Sequence, residues 1–169
     1  ALVPGMRGEA SALSQCSIII PARNEAESLR SLLPAVMRVL PGAEIVLVDD
    51  GSTDDTARIG AENGVRVISH PYAKGNGAAV KAGARAATGD ILVFLDADGQ
   101  HRPEDIPRLL ARLEEGYDMA VGARGMQDHA GAHRGFANAI FNRLASWMVN
   151  HRVSDLTSGF RAVRAERFR

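Results

Sequence analysis

The stretch "ILVFLDADGQH", residues 91–101, delivers two aspartates to the end of an apolar run rich in strand-forming residues. One residue, Ala97, separates Asp96 from Asp98. Two bare carboxylates ~4 Å apart repel each other by about 1 kcal/mol in water and by about 4 kcal/mol near a protein surface. Something must offset this repulsion, and a divalent cation is the first candidate because both charges attract it.

The residue types in this stretch suit a hard cation. Alternate residues of an extended segment point to the same side, so Asp96 and Asp98 can both face one ion, and Gln100 can add a carbonyl oxygen. Proteins usually hold Mg²⁺ or Mn²⁺ with two or three oxygens, while water and substrate phosphates complete the shell. We therefore predict a Mg²⁺ or Mn²⁺ site formed by Asp96, Asp98 and Gln100.

The composition is that of one globular domain. The chain has 169 residues, of which 46% are hydrophobic, and its 20 acidic and 20 basic residues balance. This balance leaves no overall basic field to attract nucleic acid. The single cysteine, Cys16, precludes an internal disulfide, and the apolar runs are too short to span a bilayer. We expect a cytoplasmic protein, with peripheral contact at the cytoplasmic face of the membrane left open.

Short apolar runs alternate with segments whose apolar residues recur at helical spacing. The expected strands are 16–20, 44–48, 65–69, 90–95 and 118–123. The expected helices are 26–40, 54–63, 76–87 and 103–115. The strands are rich in Val and Ile and apolar on both faces, as buried parallel strands are. This alternation predicts an α/β sheet with right-handed crossovers.

Proline, a capping box and glycines indicate where the predicted helices bend, begin and end. Pro34 lies inside the first helix and is expected to kink or split it. Ser52-x-x-Asp55 has the spacing of a capping box at the start of the second helix. Gly64 and Gly116 stand where C-terminal caps are expected.

Polar residues gather where each strand ends, which is where ligands bind in open α/β sheets. The segments after the five strands contain PARNE, DDGSTD, HPYAKGNG, DADGQH and GARG. After the second strand, Gly51 permits a tight turn and Ser52 can cap the next helix. A turn does not explain Asp49 and Asp50. At least one of them is expected to face the cleft and accept hydrogen bonds from a base or ribose.

Two interpretations stay open for Lys74, for the two arginines and for residues 135–152. Lys74 can attract a phosphate at a helix start, but its surroundings equally suit a glycine-rich turn. Arg124 and Arg134 suit bidentate phosphate binding or are solvated surface groups. Residues 135–152 are helix-like, with a core helix and an interfacial helix that presents a lipid both open. Segment 154–163, SDLTSGFRAV, by itself predicts a turn.

In this order, the motifs SIIIPARNEA, IVLVDDGSTDDT, KGNGAAVKAG, LDADGQHRPED and SDLTSGFRA resemble those of family-two inverting glycosyltransferases with the GT-A fold. The resemblance covers roughly Cys16 to Val163. Gln100 after D-x-D, together with DLTSGFR, resembles the polyprenyl-phosphate sugar transferase branch, which includes dolichol-phosphate mannose synthase. The resemblance implies an α/β fold: a GT-A-type Rossmann-like sheet, mostly parallel, with helices on both faces.

The resemblance also implies a role for each matching position. The nucleotide-sugar pocket would be lined by Pro21, Ala22, Arg23, Glu25, Val48, Asp50, Ser52, Lys74, Asp96 and Ala97. Asp96, Asp98 and Gln100 would hold the metal that bridges the diphosphate. Arg124 and Arg134 would clamp the acceptor's phosphate and, with Asp98, form the catalytic group. The implied reaction is metal-dependent, inverting transfer of a sugar from a GDP- or UDP-sugar to a polyprenyl phosphate.

Residues 1–14 are interpreted as an N-terminal extension and residues 15–169 as the catalytic domain. Proteins of the resembled family continue beyond the segment RAERFR, at which this sequence stops. We therefore expect either a C-terminally truncated enzyme or a soluble relative without a membrane anchor.

Three alternatives to the implied reaction stay open. A truncated transferase would bind a nucleotide sugar without turnover. A haloacid-dehalogenase-type phosphohydrolase would use Asp96 as nucleophile and Asp98 as acid and base, because VFLDADG imitates its nucleophile motif. A transferase that acts on a sugar hydroxyl would need a general base, for which Asp98 and Asp155 are the candidates.

Overall fold

Six short strands form one sheet in the computed structural model, which describes residues 16–122 and 159–168. In chain order the strands are β1 (Cys16–Ala22), β2 (Glu44–Asp49), β3 (Arg66–Ser69), β4 (Ile91–Phe94), β5 (Met119–Val121) and β6 (Arg161–Arg164). Their order across the sheet is β3-β2-β1-β4-β6-β5. β1 pairs in parallel with β2 and β4, and β2 pairs in parallel with β3. The five predicted strands are confirmed, with ends that differ by one or two residues.

β6 differs from the sequence expectation, which places a turn at 154–163. It runs antiparallel between β4 and β5, with Arg161 opposite both Phe94 and Val121. Its four residues carry an arginine at each end and show no alternation, so pairing with its neighbours rather than its own pattern makes it a strand. One antiparallel strand in an otherwise parallel sheet agrees with the predicted mostly parallel α/β class.

Helices cover both faces of the sheet, as predicted. They are α1 (Ala26–Val39), α2 (Thr56–Glu62), α3 (Asn76–Ala86), α4 (Ile106–Glu114), which follows a 3-10 turn at Pro103–Asp105, and α5 (Ala165–Phe168). α1, α2 and α4 contribute to the apolar cluster that contains Ile18 and Ile20. α3 and α5 pack on the opposite face, where Ile19 and Phe94 lie. Within the described ranges, no helix has the length and apolar character needed to cross a membrane.

Pro34 does not split α1, which runs through it as one helix. Proline removes the hydrogen bond to the carbonyl of residue i−4, here Arg30. Both residues are exposed, so water can satisfy that carbonyl and the helix continues.

The capping role predicted for Ser52 is wrong. α2 begins at Thr56 and has no side-chain cap. Ser52 Oγ instead accepts a hydrogen bond from the N–H of Asn24 at 2.9 Å. The chain turns at Gly51, where φ is +70°, and this turn carries Ser52 toward the loop after β1 rather than toward its own helix.

The predicted glycine caps are confirmed. Gly64 follows α2 with φ +71°, and Gly116 follows α4 with φ +100°. In each case the next residue donates its N–H back into the last helical turn, Val65 to Gly60 and Tyr117 to Arg112. These are the bonds of a Schellman motif, which requires a left-handed residue that glycine adopts without strain.

A polar network ties the amino ends of the central strands together. Glu44 Oε2 accepts hydrogen bonds from Ser17 Oγ (2.5 Å) and from the N–H and hydroxyl of Thr88 (2.7 and 3.0 Å). Ser17, which is fully buried, accepts the N–H of Gly89 at 2.9 Å. Burial opposes ionisation of Glu44, but these hydrogen bonds and the charge of Arg66 hold its pKa below the ordinary value. These bonds hold the amino ends of β1 and β2 to the segment that precedes β4, and the candidate site lies at the opposite edge of the sheet.

Candidate active site

The carboxyl ends of β1, β2 and β4 meet at one edge of the sheet. The N–H of Asp50 donates to the carbonyl of Ala22 (2.9 Å), and the N–H of Leu95 donates to the carbonyl of Ile19 (3.0 Å). β6 runs the other way, so its first residues lie at the same edge. The polar segments after β1, β2, β3 and β4 are therefore brought together, as the sequence predicts.

Asp50 accepts three hydrogen bonds from the loop that follows β3. Its Oδ1 lies 2.7 Å from His70 Nδ1 and accepts the N–H of Lys74 at 2.9 Å, while its Oδ2 accepts the N–H of Gly75 at 2.8 Å. Asp50 is only 5% exposed. Burial opposes its ionisation, but the hydrogen bonds from His70, Lys74 and Gly75 outweigh it and hold the pKa of Asp50 below the ordinary value. Asp50 therefore joins β2 to the loop after β3.

The loops that follow β1 and β2 are bonded to each other. Asn24, in the left-handed region at φ 56°, accepts the N–H of Thr53 through its side chain at 2.8 Å. Asp54 accepts the N–H of Ala26 at 3.1 Å and the hydroxyl of Thr56 at 2.5 Å. Hydrogen bonds from Thr56 and Ala26 overcome the desolvation cost and lower the pKa of Asp54. The two loops thus form one bonded unit at the base of the predicted nucleotide pocket.

Several residues predicted to line that pocket lie in or beside this unit. Arg23 is exposed, and Glu25 is half-buried and accepts the hydroxyl of Ser28 at 2.8 Å. Pro21 and Ala22 are buried at the end of β1. Val48 is fully buried in the cluster that contains Ala79, so any ligand contact at that position falls to its backbone.

Asp96 lies against the start of the segment that leads into β6. A β-carbon built on Gly159 would stand 2.5 Å from the carboxyl carbon of Asp96, far closer than real contacts allow. Asp96 is half-buried, and Ala97 beside it is 3% exposed. Glycine at position 159 therefore leaves room for the Asp96 carboxylate.

The geometry around Asp98 differs from the extended segment that the sequence suggests. β4 ends at Phe94, Ala97 and Asp98 lie in a turn, and Gly99 has φ +74°. Asp98 is exposed, and its Oδ1 accepts the N–H of Gln100 at 3.0 Å. Asp96 and Asp98 therefore do not alternate along an extended strand as predicted, because Asp98 lies in a turn.

The donor chemistry of this turn still fits a hard cation. Two carboxylates and one amide, all partly or fully exposed, are oxygen ligands that Mg²⁺ and Mn²⁺ accept, with substrate phosphates and water supplying the rest. Among residues 16–122 and 159–168 no cluster of three or more His, Cys, Asp or Glu side chains is arranged to hold a metal. Asp96, Asp98 and Gln100 would thus hold an ion only together with other ligands.

His101 packs beneath the same turn. It is 7% exposed, and its ring stacks on Phe160 with centroids 5.0 Å apart. Phe160 in turn accepts the N–H of Gly122 through its carbonyl at 2.9 Å. A β-carbon on Gly122 would clash with the Phe160 ring. These contacts hold the turn after β4 against the start of β6 and the end of β5.

An open cavity of about 750 Å³ adjoins this turn. Its lining includes Gln100, His101, Leu109, Met119 and Val121 together with arginines of the α4 region. Met119 and Val121 are 53% and 41% exposed on β5. The cavity thus combines apolar side chains with arginines, two of which pair with the lining acids Asp105 and Glu115, next to the predicted metal ligand Gln100.

Other candidate residues lie outside the part of the chain that the structure describes. These are Arg124 and Arg134, predicted to clamp an acceptor phosphate, the candidate base Asp155 and the helix-like segment 135–152. Their roles stay predictions.

The sequence did not predict residues whose contacts are with partners far away along the chain. His70 directly follows a predicted strand, which is the one signal that could have found it. His101, Gly159 and Phe160 gave no signal beyond their place in two motifs. Asn24 has the residue type that tolerates a left-handed conformation, but only the fold reveals its partner.

Comparison with known proteins identifies the family. The profile of glycosyl transferase family 2 matches residues 17–169. The chain belongs to glycosyl transferase family 2. This match confirms the family expected from the motifs and decides against the haloacid-dehalogenase-type alternative.

Two groups of curated relatives are similar to this member of family 2. An uncharacterized glycosyltransferase from Mycobacterium tuberculosis (strain ATCC 25618 / H37Rv) is 38% identical over 137 residues, which are 80% of this chain and 60% of that protein. An undecaprenyl-phosphate 4-deoxy-4-formamido-L-arabinose transferase from Klebsiella pneumoniae is 36% identical over 155 residues, 86% of this chain and 45% of that protein. The chain thus spans about half the length of these relatives.

Solved structures of the family 2 fold are also similar. Glucosyl-3-phosphoglycerate synthase from Mycobacterium tuberculosis in complex with UDP is 27% identical, with a TM-score of 0.75, over 98% of this chain and 64% of that one. The same enzyme in complex with Mn²⁺, UDP-glucose and phosphoglyceric acid is 25% identical, with a TM-score of 0.73, over 98% of this chain and 63% of that one. The predicted GT-A-type α/β fold is confirmed.

Proposed function

We propose that this chain is the catalytic part of a metal-dependent, inverting glycosyltransferase that moves a sugar from a nucleotide diphosphate sugar to a polyprenyl phosphate. One observation carries the proposal. The segment Asp96–Asp98, which packs against Gly159, lies at the same sheet edge as Asp50 and the Lys74 backbone bonded to it. The 36% identity to an undecaprenyl-phosphate sugar transferase supports the choice of acceptor.

The edge offers the groups that a nucleotide diphosphate sugar needs. Asp96, Asp98 and Gln100 would hold a Mg²⁺ or Mn²⁺ ion, which when bound neutralises charge on the leaving diphosphate as a Lewis acid. Lys74 is exposed at the start of α3 and adds a positive charge near the phosphates. Both contributions favour departure of the diphosphate, because they act where negative charge develops.

The acceptor in this proposal needs no general base. A phosphate monoester has a second pKa of about 6, so it is largely ionised at neutral pH and already nucleophilic. What remains is to place it in line with the anomeric carbon, on the side opposite the leaving diphosphate. We assign this positioning to Arg124 and Arg134, whose guanidinium groups suit bidentate contact with phosphate.

A second acceptor class is favoured by the solved structures. Glucosyl-3-phosphoglycerate synthase has been solved with phosphoglyceric acid, and 98% of the present chain aligns with it. A small phosphorylated acid is therefore the alternative acceptor. Both acceptors are anionic, but phosphoglycerate has no apolar tail and would accept the sugar on its hydroxyl, for which a general base is needed.

Nucleotide binding is tested with a thermal-shift panel of UDP, GDP, CDP and dTDP, each with and without Mn²⁺. A ligand at about 100 times its Kd stabilises the folded state by about 2.7 kcal/mol. We expect one diphosphate to raise the melting temperature, by roughly 5–10 °C for a domain of this size, and only with Mn²⁺. Failure of all four diphosphates to shift it would contradict the proposed donor.

The acceptor is tested with the matching labelled nucleotide sugar and Mn²⁺. One arm contains undecaprenyl phosphate in detergent and the other contains 3-phosphoglycerate. We expect transfer to the lipid and a strong loss of transfer in Arg124→Ala, with the exposed Arg85→Ala as the matched control. Transfer to phosphoglycerate alone would establish the alternative acceptor, and unchanged turnover in Arg124→Ala would overturn the clamp.

A further inference from the structure

We propose that His70 is a positioning residue for the nucleotide sugar. Through Asp50, His70 holds residues 70–75 so that Lys74 lies at the diphosphate of the donor. This inference rests on the proposed function and adds a residue to its donor site that the sequence motifs do not mark.

His70 and Asp50 form a nearly buried pair. Their side chains are 9% and 7% exposed, and His70 Nδ1 lies 2.7 Å from Asp50 Oδ1. An ionised carboxylate can only accept hydrogen bonds, so Nδ1 of His70 carries the proton. The backbone N–H of His70 donates to the carbonyl of Asp49 at 2.8 Å. The side chain and the backbone of His70 are thus both bonded to residues at the end of β2.

Asp50 uses most of its capacity within the chain. An ionised carboxylate has about four acceptor positions, and His70, Lys74 and Gly75 occupy three of them. The sequence expectation that Asp50 reads a base or ribose therefore leaves it at most one free position. Its main bonds go to the loop, which makes it the anchor of that loop.

The loop also rests on the turn after β2. A β-carbon on Gly51 would lie 2.6 Å from the carbonyl carbon of Tyr72 and 2.7 Å from the nitrogen of Ala73. Only glycine therefore permits this approach. The backbone of residues 72 and 73 thus packs closely on Gly51, and Asp50 bonds the backbone of residues 74 and 75.

The side chain of Lys74 is free of these restraints. Its ammonium group lies 5.7 Å from the centroid of the Tyr72 ring, and both residues are exposed. A cation on a fixed backbone loses less conformational freedom when it meets a ligand than one on a loose loop. His70 can thus raise the affinity for a diphosphate without touching it, because it fixes the backbone of Lys74.

Three substitutions test the roles of His70 and Lys74 separately. His70→Leu fills the space without a donor. His70→Asn keeps a donor, because the asparagine Nδ2 stands near the position of the histidine Nδ1. Lys74→Ala removes the cation itself. Ser69→Ala changes an exposed neighbour and serves as the control.

The test measures Kd by calorimetry with Mn²⁺ for UDP and UMP, or for the diphosphate that gives the largest shift in the panel and its monophosphate. We expect His70→Leu to weaken UDP about tenfold and UMP by less than about twofold, because only UDP reaches Lys74. His70→Asn should recover most of the loss. The double variant His70→Leu/Lys74→Ala should bind UDP no more weakly than Lys74→Ala alone.

Three results would overturn the inference while leaving the proposed function intact. These are unchanged UDP affinity in His70→Leu, equal losses for UDP and UMP, and additive losses in the double variant. Absence of diphosphate binding by the unmodified chain would instead overturn the proposed function, and this inference with it. Hydrogen exchange on the ligand-free chain gives an independent readout: the amides of Lys74 and Gly75 should exchange faster in His70→Leu, and unchanged exchange would also reject the inference.

Discussion

The carboxylate of Asp96 faces the α-carbon of Gly159 with no room for a side chain between them. A β-carbon at position 159 would stand 2.5 Å from both the carboxyl carbon and Oδ1 of Asp96. This contact joins the turn after β4 to the chain entering β6. The D-x-D motif and residues 159–161, far apart in the sequence, therefore form one structural unit.

We expect Gly159→Ala to displace the Asp96 carboxylate and to abolish the Mn²⁺-dependent shift of the melting temperature by a nucleoside diphosphate. The three atoms nearest to that β-carbon all belong to the Asp96 carboxylate, a side-chain end that can move aside, so the free energy of unfolding should fall by less than the about 1–3 kcal/mol of core overpacking. Gly77→Ala is the control, because a β-carbon there meets nothing within 4 Å. A full Mn²⁺-dependent shift in Gly159→Ala would show that Asp96 is not a ligand of the ion.

Asp98→Asn tests the second predicted metal ligand. Asp98 is exposed, and a backbone N–H is its bonding partner, so the substitution should leave the melting temperature of the ligand-free chain nearly unchanged. We expect it to raise the Mn²⁺ concentration needed for diphosphate binding by about tenfold or more, because one charged ligand is lost. EDTA should remove the shift altogether in the unmodified chain. Asp90→Asn, also exposed, should behave as the unmodified chain does.

Local patterns sufficed for the strands and for most helix ends. Runs such as Ile45–Val48 are apolar on both faces, so a buried parallel strand is the structure that satisfies them. Gly64 and Gly116 mark helix ends because few other residues adopt a left-handed conformation without strain. These features depend on the residues themselves, which is why the sequence predicts them.

Features that depend on distant partners were beyond sequence reasoning. β6 is a strand because β4 and β5 flank it, and its own residues show no strand pattern. Ser52 has the spacing of a helix cap, but Asn24 lies close enough to use its hydroxyl instead. Asp50 stays predicted to contact a base or ribose, and the sequence did not reveal that the folded chain also brings His70 and Lys74 to its oxygens. Each of these features depends on a tertiary contact that local patterns do not contain.

Gly83→Ala should destabilise the fold. Gly83 is buried in α3, where a β-carbon would stand 2.5 Å from Ile19 Cγ2 and 3.1 Å from Val48 Cγ2. We expect a loss of about 1–3 kcal/mol in the free energy of unfolding, measured with urea. Gly77→Ala in the same helix should instead gain up to about 1 kcal/mol, because alanine is the better helix former. Equal effects of the two substitutions would contradict the close packing of α3 on the sheet.

Cys16 should react with thiol reagents only when the chain unfolds. It is 1% exposed at the start of β1, and burial raises its pKa to about 12. The thiolate is the reactive form, so Ellman's reagent at pH 8 should label the native chain very slowly. Labelling should become complete in urea above the unfolding transition. Rapid labelling of the native chain would mean that β1 is not held in the sheet as described.

Glu44 should make the chain sensitive to acid through the network at the amino ends of the strands. The pKa of Glu44 is lowered in the folded state, and a free glutamate has a pKa of about 4.3. The resulting stabilisation is therefore complete above about pH 4.3 and is lost as the pH falls through the folded value. Glu44→Gln cannot ionise, so it should cost roughly 1 kcal/mol at pH 7 and progressively less below pH ~4.

Urea unfolding of the two chains between pH 7 and pH 3 measures this difference, with the exposed Glu114→Gln as the control. The curves of Glu44→Gln and of the unmodified chain should converge toward low pH, whereas Glu114→Gln should follow the unmodified chain throughout. A constant gap between the first two curves would mean that the charge of Glu44 contributes nothing. The hydrogen bonds from Ser17 and Thr88 would then stabilise the sheet through geometry alone.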